Sequence, residues 1–183
     1  SRFMPRLADK IRPILKLMKK VEKFAWNESC EEAFQIIKKA LAEPPILSKP
    51  VHGIPLLVYL AVSPEAVSAA IVQGKTEQKP VYFISRVLQE AETRYQMIEK
   101  VALALVHASR RLRQYFQSHE VIVRTDFPIN KILQKPELAG RMIGWSVELS
   151  EFSIKYEPQG PIKSQCLVDF TSELQQCQEP ETT

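Results

Sequence analysis

The sequence predicts an α/β fold in which a five-stranded mixed sheet is flanked by helices and preceded by an all-helical segment. Three observations lead there. Apolar residues recur every three or four positions up to about Pro45, short β-prone apolar runs take over from Leu56, and helical and strand patterns alternate from Glu90 onward. The 183 residues, 45% hydrophobic and 25% charged, suffice for one core with a helical appendage and exclude a membrane protein. No apolar run approaches the roughly 18–20 residues that span a bilayer.

Leu7, Ile11, Ile14, Leu15, Met18 and Val21 follow helical spacing, but Pro13 interrupts them. Proline suits a first turn and not a helix interior, so two short helices are expected, the second starting near Pro13. Asn27 reads as the N-cap of the next helix, with Glu28, Glu31 and Glu32 in its first turns and Ala33, Phe34, Ile37, Ala40 and Leu41 as one apolar stripe. Pro44 and Pro45 end it. The stretch 46–55, with Pro50, Gly53 and Pro55, reads as a linker.

Leu56–Ala61, Ala66–Gln73 and Lys79–Ser85 form a three-stranded meander. A long helical pattern over about Glu90–Phe116 repeats Ile98, Ala102, Leu105, Leu112 and Tyr115 on one side and carries Arg110, Arg111 and Arg113 on the other. Val121–Asp126 is a fourth strand, Ile129–Lys135 a short helix, Leu138–Leu149 another, and Phe152–Pro158 a fifth strand. Leu167–Leu174 reads as a last helix, and the polar tail 175–183 as disordered.

Charge is distributed unevenly. Between Ser1 and Phe24, eight basic residues (Arg2, Arg6, Lys10, Arg12, Lys16, Lys19, Lys20, Lys23) face Asp9 and Glu22, a balance of 8 − 2 = +6 in a chain whose total is +4. A solvated helix face explains such a cluster, and so does a surface that tracks phosphates, because Lys and Arg supply sequence-independent affinity for nucleic acid. Cys30, Cys166 and Cys177 are odd in number and match no metal-ligand spacing, so they read as reduced thiols. His52, His107 and His119 are scattered, and His107 reads as a packed histidine within a helix. The charged start SRFMPRLADK is unlike a signal peptide, so an intracellular fragment is expected, in a cytoplasmic particle or the nucleus.

The element order, three strands, a long helix, a strand, helices, a strand and a last helix, is that of the RNase H fold. The runs FAWNESCEEAFQIIKKALAEPPILSKP, KPVYFISRVLQEAETRYQMIEKVALALVHASRRLRQYF and VIVRTDFPINKILQKPELAGRMIGWSVELSEFSIKYEP closely resemble reverse transcriptases of gypsy-type LTR retrotransposons, plant ones in particular. Under this resemblance residues 1–45 look like a polymerase thumb and residues 56–174 like an RNase H-like connection, or tether, domain.

The resemblance implies a nuclease that cuts the RNA strand of an RNA/DNA hybrid with two magnesium ions held by carboxylates on the first strand, in the long helix, at the end of the fourth strand and near the last helix. Tyr59-Leu60-Ala61-Val62-Ser63 places Ala61 at the first of these positions, and Glu99-Lys100-Val101-Ala102 places Val101 at the second. Asp126 and Asp169 keep the third and fourth. Glu65 lies about 13 Å further along the strand at roughly 3.3 Å per residue, and Glu99 points about 200° away from Val101 around the helix, so neither replaces a lost acid. Asp126 also suits an N-cap, and Asp169 a first-turn helix acid.

The resulting expectation is a non-catalytic module with no cofactor, magnesium entering only through a residual site. It would hold RNA/DNA hybrid within a reverse transcriptase polyprotein whose parent is an RNA-directed DNA polymerase. Lys10, Lys16, Lys19, Lys20, Lys23, Arg110, Arg111 and Arg113 are the candidate contacts. An active ribonuclease H with a modified metal site, and a domesticated scaffold or dimerisation domain, remain alternatives, and a homodimer stays open.

Overall fold

The computed structural model describes residues 4–19, 25–42, 47–134 and 140–161. The last helix expected over Leu167–Leu174, the tail, and Lys20, Lys23 and Asp169 lie outside the described residues. Three helices come first: α1 (Leu7–Lys10), α2 (Arg12–Lys19) and α3 (Glu28–Ala42). β1 (Leu56–Val62), β2 (Ala66–Gln73) and β3 (Lys79–Val87) follow, then α4 (Glu90–Thr93), α5 (Met97–Arg111), α6 (Arg113–Ser118), β4 (Val121–Arg124), α7 (Ile129–Leu133), α8 (Gly140–Ser150) and β5 (Ile154–Glu157). Among the described residues no helix is long and apolar enough to cross a membrane.

The five strands form one mixed sheet in the order β3-β2-β1-β4-β5. β1 and β2 pair antiparallel, as do β2 and β3, whereas β1–β4 and β4–β5 are parallel. β1 and β2 are central and every one of their residues is buried, which is why they read as nearly continuous apolar runs. Leu56, Val58, Leu60 and Val62 of β1 and Val67, Ala69 and Ile71 of β2 belong to the hydrophobic cluster that includes α5. Leu57, Tyr59 and Ala61 alternate with them and form a second cluster with Ala70, Val72 and Phe83. The buried Tyr59 hydroxyl meets the Gln78 side chain, whose Nε2 donates to it at 3.1 Å.

The helix expected over Glu90–Phe116 is three helices. At Gln96 the backbone is extended, and the Glu99 carboxylate accepts from the Gln96 N–H at 3.1 Å, so α5 begins afresh there. At Leu112 a non-helical backbone separates α5 from α6 while the side chain stays in the core. α3 also differs from expectation. Asn27 caps it, its Oδ1 accepting from the Cys30 N–H at 2.9 Å, but Cys30 and Ala33 are the residues it buries, and Phe34 and Leu41 are exposed. The covered side of α3 runs through Cys30, Ala33, Ile37 and Ala40, so the predicted stripe keeps Ala33, Ile37 and Ala40 and loses Phe34 and Leu41, with the free thiol of Cys30 against the Pro13 carbonyl.

Described residues of the proline-rich stretch 46–55 lie along the sheet. The buried Gln73 side chain accepts from the Val51 N–H at 2.7 Å and donates to the carbonyls of Val51 and Ile54 at 3.0 and 2.8 Å. Ser48 N–H donates to the Pro80 carbonyl at 2.8 Å.

Candidate nucleic-acid interface and the acid-depleted face

Ala61 lies opposite Ser68 on β2, and Ser68 opposite Ser85 on β3. Residues paired across antiparallel strands share a face, so these three form one row on the side of the sheet away from α5. Helix α1 lies across that row. At one end the Ala8 N–H donates to Ser85 Oγ at 2.9 Å, and at the other Ser63 Oγ donates to Asp9 Oδ1 at 2.7 Å. Arg6 clasps the other oxygen of Asp9 at 2.7 and 3.1 Å, and Met4 and Ala8 are buried beneath. Ser68 is 2% exposed, and its hydroxyl has no hydrogen-bond partner among the described residues.

Ala61 is 3% exposed and Val101 is 1% exposed, yet they sit in different hydrophobic clusters. The two positions that lack carboxylates therefore do not line a common pocket. Asp126 is exposed and accepts from the Gln159 N–H at 3.1 Å. It is not the cap of α7: Pro128 holds that position without a side-chain cap, and the neighbouring N–H of Phe127 is taken by Thr125 Oγ1 at 3.2 Å. Here the β4–β5 pairing outcompetes the local cap, because Asp126 meets the chain leaving β5. Glu99 caps its own helix and pairs with Arg141, and Glu65 pairs with Arg12 and Lys16. Among the described residues of the expected set, Asp126 alone offers a side-chain oxygen, so Ala61, Val101 and Asp126 by themselves do not make a divalent-cation site. Among the described residues no three His, Cys, Asp or Glu side chains come together.

The candidate cations differ in what they are free to do. Lys16 and Lys19 are exposed on one stripe of α2, and with Arg12 they line a cleft of about 550 Å³ that reaches the first turn of α3. Lys16 Nζ lies 3.8 Å from Glu65. Lys10 is half-buried in the last turn of α1. In the arginine triplet, Arg110 pairs with Glu148 at 2.9 Å, and Arg113 pairs with Glu151 and lies over the Phe152 ring. Arg111 is exposed and makes no ion pair among the described residues. Burial, helped by Arg86, Arg111 and Arg110, holds the half-buried His107 below the usual histidine range. The sequence reading missed Tyr82, Gln114 and Tyr115, which gather around Arg111. The four-residue spacing of Arg111 and Tyr115 is the one signal that could have suggested part of this.

A mixed sheet ordered β3-β2-β1-β4-β5, with α5 crossing between β3 and β4, defines an RNase H-like α/β domain. Residues 26–123 match the family model of the RNase H-like domain found in reverse transcriptase, and the chain belongs to that family. The matched span begins at Trp26 and so includes α3.

The chain is similar to the retrovirus-related Pol polyprotein from transposon 297 of Drosophila melanogaster, 29% identical over 158 residues that cover 85% of this chain and 15% of that protein. It is also similar to the transposon Tf2-3 polyprotein of Schizosaccharomyces pombe, 26% identical over 86% of this chain and 12% of that protein. The chain thus spans less than a sixth of either relative. Among solved structures, the foamy viral protease-reverse transcriptase in complex with RNA/DNA hybrid superimposes with a TM-score of 0.69 at 22% identity, covering 90% of this chain and 24% of that one. A foamy viral protease-reverse transcriptase dRH in complex with double-stranded DNA gives 0.71 at 21% identity, over 88% of this chain and 30% of that one.

Proposed function

We propose that this chain is the non-catalytic thumb and connection part of a retrotransposon reverse transcriptase, of gypsy type and plant origin, which holds RNA/DNA hybrid between a polymerase site and a nuclease site. The observation that carries this reading is the burial of Ala61 and Val101 in two separate apolar clusters. Magnesium needs hard oxygen ligands, and these positions supply aliphatic carbon. The module acts without a cofactor, inside the cell, as part of a longer polyprotein.

The binding role follows from charge. Exposed Lys16 and Lys19, with Arg111 on another part of the surface, suit contact with a phosphate backbone, whose neutralisation releases counterions and makes affinity fall with salt. The complexes of the foamy viral enzymes with hybrid and duplex support the reading by analogy of fold.

The test is an assay of the full chain with labelled RNA/DNA hybrid in magnesium or manganese. The hybrid stays uncut while fluorescence anisotropy reports binding that weakens as salt rises. Robust cutting ends the proposal, and absence of any salt-dependent binding leaves an inert scaffold in its place.

A further inference from the structure

The break between α5 and α6 opens a cavity of about 330 Å³ lined by Tyr82, Arg111, Leu112, Arg113, Gln114 and Tyr115. Its polar side chains all offer hydrogen-bond donors, and none is a carboxylate. Arg113 is committed to Glu151, so its charge is largely offset. Arg111, which has no such partner among the described residues, brings the uncompensated charge to this concavity. The same side chain lies one turn from His107, whose protonation is opposed first by burial and then by Arg86, Arg111 and Arg110, with Glu92 acting the other way.

A pocket rich in donors beside an unspent guanidinium has the chemistry of a phosphate site. The planar fork of arginine matches two phosphate oxygens at once, and phenol and amide groups complete the shell without adding negative charge. We propose that this pocket seats one backbone phosphate of a nucleic-acid strand, with Arg111 as the principal contact and Tyr82, Gln114 and Tyr115 completing the shell. The proposal rests on the nucleic-acid reading above and narrows the arginine triplet to one working member: Arg110 and Arg113 tie the end of α5 and the start of α6 to Glu148 of α8 and to Glu151 just beyond it.

The experiment titrates labelled RNA/DNA hybrid with the full chain at several salt concentrations and compares Arg111→Gln, Arg113→Gln and Tyr115→Phe. Loss of one phosphate contact lowers affinity by about threefold to tenfold and reduces the magnitude of the salt slope by about one. Arg111→Gln shows both effects, Tyr115→Phe a smaller loss of affinity, and Arg113→Gln little change in slope. Unaltered hybrid binding and slope in Arg111→Gln overturn the pocket while leaving the tether reading intact. If the unaltered chain binds no hybrid, both fall. A parallel NMR titration with inorganic phosphate separates the sources: saturable shifts at Arg111 and Tyr115 without any effect of Arg111→Gln on hybrid binding mark a free-anion site and overturn the backbone assignment.

Discussion

Asp9 and Ser63 are 54 residues apart in sequence and joined by a 2.7 Å hydrogen bond, the Ser63 hydroxyl donating to the Asp9 carboxylate. Through this contact and that of Ala8 with Ser85, helix α1 is fixed across the row that contains Ala61. Asp9 also accepts from Arg6, whose side chain is only 7% exposed. Removing the carboxylate by Asp9→Ala leaves a buried guanidinium without that counter-charge and a serine without its acceptor. The expected loss is about 1–3 kcal/mol, since deleting one partner exposes the desolvation cost of the other. Urea unfolding measures it, and Asp9→Asn, which keeps an acceptor for Ser63, loses less.

Because α1 lies over this row, introducing acids at Ala61 and Val101 is not expected to rebuild a metal site. Ala61→Asp places a carboxylate among Tyr59, Ala70 and Phe83, and Val101→Glu places one in the cluster on the opposite side of the sheet. Each buries a charge without a counter-ion in its apolar cluster, at an expected cost of several kcal/mol or a strongly raised carboxyl pKa. The double variant is therefore expected to be much less stable and still to leave RNA/DNA hybrid intact in magnesium. Recovery of magnesium-dependent cleavage in a folded double variant would show that the two positions converge after all.

The fold was legible because its strands are short, apolar and punctuated by turn residues. The β1–β3 meander, β4 and β5 fall within a few residues of expectation, and the Asn27 cap is where its side-chain chemistry put it. What escaped depends on contacts distant in sequence. Gln73 reads as an ordinary strand residue, yet its amide holds Val51 and Ile54 and turns a linker into part of the sheet surface. Asp126 obeys every local rule for a cap, but the arrival of β5 offers it Gln159 instead. For the arginine triplet, composition announced three equivalent cations. Only the positions of Glu148 and Glu151, 38 residues further on, distinguish Arg111 from its neighbours.

His107 makes stability depend on pH. Its folded-state pKa lies below its ordinary value of 6.5, chiefly through burial and secondarily through Arg86, Arg111 and Arg110. As pH falls through about 6.5 the unfolded chain takes up a proton that the folded chain resists, so the unfolded state binds more protons and stability declines. The contribution is fully present above that range and is lost as the solution is acidified. Comparing unfolding midpoints at pH 7.5 and pH 5.5 for the unaltered chain and for His107→Gln isolates the effect. The variant is expected to lose less stability on acidification, and an identical pH dependence in the two proteins would contradict the assignment.

Glu65 sets how much of the positive charge on α2 is available. Its carboxylate pairs with Arg12 and lies 3.8 Å from Lys16, two of the cations that line the cleft beside α3, and its own backbone carbonyl accepts from the Leu88 N–H at 2.8 Å. The carboxylate is about a third exposed, with 36% of the side chain accessible, so the ion pairs contribute little to stability, on the order of 0–1 kcal/mol. Their larger effect is on the field. Glu65→Gln removes one negative charge next to Arg12 and Lys16 and keeps the shape of the side chain. Unfolding free energy is expected to change by less than about 1 kcal/mol, while hybrid affinity rises by about twofold to fivefold at low salt and the gain shrinks as salt screens it. Combining Glu65→Gln with Lys16→Gln cancels the gain if α2 is the surface that meets the phosphates. A gain that survives the second substitution places the contact elsewhere, on the Arg111 side of the molecule.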